Sequence, residues 1–305
     1  CLFDLRRRGM VGDLHLAGTS GGKFPAIRAH MGAAIGAAYP GSAYDLAVAT
    51  YPDDGATDPL AYRAALAALP KGSAVTIFTP DDTHYDIALD CVRAGMHVLV
   101  TKPVVKTLAQ HATLAAAAAE AGVLVAVEVH KRWDPIYADA RDRLLKLGDC
   151  SYFNAYMSQP KLQLSTFKAW AGLSSAISYY LNSHHIDVHC CMVRHRSRPV
   201  RVTAVAATGV AEARLGRSPI EDTITLLVDS GAEVAIGTDV LPFLHELKQP
   251  IDVAEIERLA GQPIAAAELD KARTILLTRL LAEHCGIFAG ISAGAALAGA
   301  QIGRA

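Results

Sequence analysis

The 305-residue chain has no CxxC pair, no GxGxxG run and no excess of basic charge. Its 6 cysteines (Cys1, Cys91, Cys150, Cys190, Cys191 and Cys285) are scattered along a chain far longer than a disulfide-stapled scaffold. That usage reads as a reduced, cytoplasmic protein. A formal net charge of -1 offers nothing to neutralise a phosphate backbone or an anionic bilayer. Nucleic acid and membrane surfaces are therefore not expected partners. Charged residues make up only 19%, but apolar residues make up 51%, enough for a sizeable core and too many for a disordered chain. The uncharged stretch 286–303 is mostly Gly and Ala, which suits a packed small-residue helix better than a membrane span. No signal peptide is expected from the opening residues. The chain starts at Cys1 and enters a helix-like run at once, over Leu2–Arg8, so a missing N-terminal segment is expected.

What the sequence does have is alternation. Leu14–Ala17 suits a strand, followed by Gly18-Thr19-Ser20-Gly21-Gly22 and a helix over Pro25–Ala38. Strand patterns recur at Asp45–Thr50, Ala74–Phe78, His97–Val100 and Val123–Val127, with helix patterns between them at Pro59–Leu69, His84–Ala94 and Leu108–Ala121. This predicts an α/β fold, a Rossmann-like doubly wound parallel sheet over residues 1–128. Ligands of such sheets sit beyond the carboxyl ends of the strands, here Gly18-Thr19-Ser20, Thr79-Pro80 and Thr101-Lys102-Pro103. Over residues 129–230 the texture becomes that of an α+β domain, with strands at Ser151–Met157, Val200–Gly209 and Asp222–Val228 and a helix at Ser183–Val193. Residues 231–305 read as an Ala/Gly-rich helical tail, with further strands expected to be missing after about Ser230.

Three motifs carry a family resemblance. They are the strand ending in Thr79-Pro80 with His84 beyond it, the run Ala94-Gly95-Met96-His97-Val98-Leu99-Val100-Thr101-Lys102-Pro103, and Lys131-Arg132-Trp133-Asp134-Pro135. Together with Asn182-Ser183-His184-His185-Ile186-Asp187 they resemble the Gfo/Idh/MocA oxidoreductases over about residues 1–228. The resemblance implies a nicotinamide cofactor and hydride transfer to or from a sugar, sugar acid or polyol. It also implies homo-oligomers built on the open face of the second-domain sheet. It maps the family's lysine beside the nicotinamide onto Lys102 and its acid/base histidine onto His184. Relative to the family, Leu2–Gly9 looks like its first helix, so the first strand and its glycine loop are expected to be absent. Thr101 stands where the family has Glu, and Tyr180 where many members have Asp.

The residue types suit that chemistry. Alcohol oxidation needs a group to take the hydroxyl proton, which a histidine with an ordinary pKa of about 6.5 can do. A lysine beside the developing alkoxide stabilises it. The catalytic candidates are therefore Lys102, His184 and Tyr180, with Arg132, Lys168, His185 and Asp187 toward substrate. The bland alternatives are a solvated loop lysine and histidines that merely pack at a helix start. His185 and His189 share a helix face, but no third ligand is placed beside them, so no metal is expected. Cofactor candidates are Gly18, Thr19, Ser20, Lys23, Thr79, Pro80, His84, Thr101, Lys102 and Pro103. Hydroxyls and a cation at residues 19–23, with Arg28 downstream, suit a ribose 2′-phosphate, so NADP is favoured over NAD.

The segment Gly286–Leu297 resembles the C-terminal end of cysteine synthases, which are PLP enzymes, with Ser292 toward the pyridine nitrogen. No lysine motif for a Schiff base accompanies it, and it is read as non-functional. The other reading left open is a truncated, non-catalytic relative that acts as a binding protein or is inactive.

Overall fold

The structure is a computed structural model. It describes residues 1–240 apart from 43, 148–149, 151, 194–196, 217–219 and 231–233. The expectations for 241–305, the cysteine synthase-like segment among them, lie outside the described residues. The chain divides into two compact units. The first comprises Cys1–Phe78, Thr83–Val100 and Thr107–Ala126; the second holds Thr79–Asp82, Thr101–Lys106 and the chain from Val127 onward.

In the first unit the elements are α1 (Leu2–Arg7), β1 (His15–Ala17), α2 (Phe24–Met31), β2 (Ala49–Tyr51), α3 (Ala61–Ala68), β3 (Ala74–Ile77), α4 (His84–Arg93), β4 (His97–Thr101), α5 (Leu108–Ala121) and β5 (Val125–Glu128). β1 pairs parallel with β2, and β3 pairs parallel with β4, with β5 on the other side of β4. The expected single sheet is therefore realised as two parallel sheets, and no described strand joins β1 to β3. β4 explains itself from sequence. Its Val98 and Val100 are buried, and it lies between two neighbours, as an apolar run in a parallel sheet should. α5 begins where the Thr107 hydroxyl accepts from the Gln110 N–H at 3.2 Å, and it ends at Gly122 in the left-handed conformation. α4 covers the sheet with Ala88, Leu89, Cys91 and Val92. Cys91 is completely buried and burial pushes its thiol up to about 12, so it behaves as a small hydrophobe.

The second unit contains α6 (Pro135–Leu147), β6 (Tyr152–Ser158), α7 (Leu164–Phe167), α8 (Ser183–Val193), β7 (Arg201–Thr208), α9 (Val210–Leu215), β8 (Glu221–Asp229) and β9 (Val234–Val240). Its sheet has the order β6-β9-β8-β7. β9 corrects the expectation of helix and of missing strands after Ser230. Residues 234–240 run parallel to β6 and antiparallel to β8, in the middle of the sheet. The alternation of Val234, Ile236, Thr238 and Val240 carries that strand, although Gly237 and Asp239 dilute it. Leu164, Phe167, Ala171, Ile177, Leu181 and Ala211 form one core cluster. No helix among the described residues is long and apolar enough to cross a membrane.

Candidate active site

The candidate site lies within the second unit and is assembled from strand ends. β4 closes at Thr101 and delivers Lys102. The Lys102 ammonium donates to the backbone carbonyl of Tyr180 at 2.7 Å and lies 4.0 Å from the centre of the Tyr180 ring. Tyr180 belongs to a π-helical turn, Ser178–Asn182, that runs directly into α8 and so to His184. Its ring also packs on Phe167 at 5.0 Å and Trp170 at 5.1 Å. Tyr180 therefore meets Lys102 through a carbonyl and a ring face. An ammonium held over an aromatic face is stabilised by the ring quadrupole.

Burial nonetheless pulls Lys102 down from 10.5 to about 8, opposed by the negative charges of Asp81 and Glu128. Those two carboxylates come from the ends of β3 and β5. They supply near Lys102 the negative charge that Thr101 lacks. His184 is 7% exposed, and its Nδ1 has no hydrogen-bond partner. Burial pushes it down to about 3, and the positive charges of Lys102, Lys131, His130 and His185 add to the effect. His185 is pushed down to about 4, by burial first and then by Lys131. Both rings are neutral at neutral pH.

Around this pair the turn His130–Trp133 is fastened to α8. Arg132 Nε and Nη2 donate to the two oxygens of Asp187 at 2.7 and 2.5 Å, a bidentate pair that also raises the Arg132 pKa. Two predicted substrate residues thus engage each other. Lys131 is buried and donates to the Tyr137 hydroxyl at 3.3 Å. His130 was not anticipated from sequence. Its ring meets that of His184 edge-on at 4.8 Å, and its Nδ1 lies 3.1 Å from Glu128 Oε1. The signal was present: Glu128-x-His130 follows directly on a strand's carboxyl end, where ligands sit. Asn182 is 1% exposed with neither amide atom hydrogen-bonded. Lys168 is exposed at the end of α7.

The cofactor candidates divide between the units. Thr79 and Pro80 lie exposed past β3, and Thr101, Lys102 and Pro103 are half-buried past β4. His84 is completely buried at the start of α4, which leaves it no surface for direct contact with a ligand. In the first unit the turn Gly18–Gly22 packs on the loop 53–58. The Gly21 N–H donates to the Ala56 carbonyl at 2.8 Å, the Thr19 carbonyl accepts from Asp58, and Ser20 bridges to Thr57. A Cβ on Gly21 would sit 2.0 Å from the Asp53 carbonyl oxygen, so close backbone approach accounts for a glycine there. Thr19 and Lys23 remain exposed, whereas Arg28 is paired with Asp54. At the chemical end the donor set suits a nicotinamide-dependent reaction. The orphaned His184 Nδ1 and the desolvated Lys102 are hydrogen-bonding groups for an alcohol or carbonyl.

A Rossmann-type α/β unit is the fold of dinucleotide-binding domains, and the second unit brings a half-buried lysine and a buried histidine together. Residues 33–129 match the family model described as "Oxidoreductase family, NAD-binding Rossmann fold". The chain is 32% identical over 118 residues to the scyllo-inositol 2-dehydrogenase (NADP(+)) IolW of Bacillus subtilis, covering 37% of this chain and 32% of that protein. It is 35% identical over 75 residues to the scyllo-inositol 2-dehydrogenase (NAD(+)) of the same organism, covering 25% of this chain and 22% of that one. The alignments thus span about a third or less of these relatives' length. The aldose-aldose oxidoreductase of Caulobacter crescentus, solved with glycerol, shares the fold at a TM-score of 0.55 and 16% identity, over 75% of this chain and 71% of that one.

Proposed function

We propose that the chain transfers hydride between a nicotinamide dinucleotide and a secondary alcohol or carbonyl of a cyclic polyol or sugar, using Lys102 and His184. The observation that carries this reading is the state of Lys102: a half-buried amine drawn down to about 8, held at Tyr180 and clustered with a neutral, orphaned His184. The dinucleotide supplies the hydride acceptor or donor. Lys102 takes the hydroxyl proton of an alcohol as the carbonyl forms, and returns it in the reverse direction. A group that titrates near the working pH does this best, and such positioned transfer contributes about 10²–10⁴-fold. His184 rests neutral and holds the reacting oxygen by a hydrogen bond. Asp81 and Glu128 keep part of the charge on Lys102, which steadies an alkoxide.

Thr19, Ser20 and Lys23 are the first unit's candidates for the adenosine ribose, and Thr79, Pro80 and Pro103 are the second unit's own cofactor candidates. Arg28, already paired with Asp54, leaves Lys23 as the cation for a 2′-phosphate, and NADP is the cofactor we favour. The names of the two inositol dehydrogenases suggest scyllo-inositol as the first substrate to try. Lys102→Met should abolish scyllo-inositol oxidation with NADP⁺ or NAD⁺ and leave the circular dichroism spectrum unchanged. Retained turnover in that variant would overturn the assignment.

A further inference from the structure

We propose that His130, oriented by Glu128, is the proton exit of the site, carrying the substrate proton between half-buried Lys102 with buried His184 and bulk water. The inference rests on the oxidoreductase reading above. Three observations support it. His184 is buried, and its ring meets only one exposed imidazole among the ring contacts described, that of His130 at 4.8 Å and 61°. The His130 side chain is 60% exposed, so it reaches water where His184 does not. Glu128 Oε1 lies 3.1 Å from His130 Nδ1. A carboxylate accepts only, so Nδ1 carries the hydrogen and Nε2 is left with a free lone pair to take up a proton.

The need for such an exit follows from the charges around the pair. A proton left on His184 is opposed by burial and by Lys102, Lys131, His130 and His185. A proton left on Lys102 blocks the next turnover. In oxidation the substrate O–H bond breaks and an N–H bond forms on Lys102, while the carbinol C–H pair leaves as hydride for the dinucleotide. The Lys102 proton then passes by way of His184 to His130 Nε2 and on to water. One proton is released per alcohol oxidised, and the enzyme returns to its starting state. Glu128 also faces Lys102, so one carboxylate bears on both ends of the path. Asp81 is the other acidic group acting on Lys102.

The test uses His130→Gln, His130→Ala and Glu128→Gln in the full chain, with scyllo-inositol and NADP⁺ or NAD⁺ as probes. Both His130 variants should lower kcat about 10–100-fold with KM little changed, a loss at the lower end of general acid–base effects. Added imidazole should restore part of the rate to His130→Ala, and Glu128→Gln should give a smaller loss. A packing residue would show no imidazole rescue. Independently of turnover, ¹⁵N spectra of histidine-labelled protein should show His130 as the Nδ1–H tautomer, a preference lost in Glu128→Gln. Unchanged kcat in both His130 variants, a loss that imidazole leaves untouched, or an Nε2–H tautomer for His130 overturns the proton exit alone. No turnover by the unaltered chain overturns the oxidoreductase reading and the exit with it.

Discussion

Lys102 and His184 depart from their ordinary pKa values in the same direction and for the same first reason, burial, and they leave the same mark on stability in two different pH windows. The folded chain holds Lys102 at about 8, whereas the unfolded chain holds it near 10.5. Between those values the unfolded state binds more protons, so stability should rise with pH from 8 toward 10.5. At neutral pH the ammonium is buried at a cost, and Lys102→Met should raise stability by about 2 kcal/mol while removing turnover. Urea unfolding at pH 7 and pH 10 checks this: the variant's advantage should shrink at the higher pH. His184 is held at about 3 against 6.5 unfolded. Its neutral form is fully compatible with the fold above 6.5, and stability falls as the pH drops from 6.5 toward 3. His184→Gln should flatten the unfolding midpoint across pH 4–6.5. An equally steep profile in the variant would mean that other groups, His185 first, carry the acid sensitivity.

Between elements, a few side chains carry joints that no local pattern reveals. Arg132 and Asp187 are 55 residues apart and tie the turn after β5 to α8. Asp222 on β8 is buried and accepts from the Val210 and Ala211 N–H groups at 2.6 and 2.7 Å, which caps α9 from another strand. Asp222→Asn should cost about 2 kcal/mol, because one acceptor becomes a donor facing a donor. Asp187→Ala should cost a similar ~2 kcal/mol by leaving a half-buried Arg132 unpaired. Asp139→Ala, which removes an exposed partner of Arg143, should leave the urea midpoint where it is. The contrast shows what the sequence could reveal. β3, β4 and α5 were legible because a buried apolar run, a Thr cap and a stop at Gly122 are local features. Lys102 and His184 could be singled out as candidates through motifs. The carboxylates that stand in for the missing Glu at Thr101 were not, because Asp81 and Glu128 reach Lys102 only when the ends of β3, β4 and β5 come together. β9 was missed for a related reason: its place between β6 and β8 is set by pairing over long sequence distances, while Gly237 and Asp239 lower its local strand propensity. The Gly18–Gly22 run was legible as a turn but not in its packing, since what fills the space beside Gly21 is the backbone of Asp53.

At the scale of the whole molecule, the open matter is how a dinucleotide engages a first unit whose parallel strands form two sheets. Pyrophosphate binding on such folds relies on free backbone N–H groups at a glycine turn. The Gly21 N–H is already donated to Ala56, so we propose that the first unit's share of the affinity comes from the side chains of Thr19, Ser20 and Lys23. Such a site should discriminate through charge. NADPH should bind several-fold more tightly than NADH, and Lys23→Ala should bring the two affinities together, with tenfold corresponding to about 1.4 kcal/mol. Trp170 makes the measurement direct. It packs on Tyr180, which holds Lys102, and its emission should be quenched by the reduced nicotinamide. Saturable quenching that favours NADPH and weakens in Lys23→Ala supports the NADP preference. Saturation with equal affinities keeps the oxidoreductase and removes the preference. A folded chain that quenches with neither nucleotide acts as a binding relative of these enzymes, because Lys102 and His184 then have no hydride partner to serve.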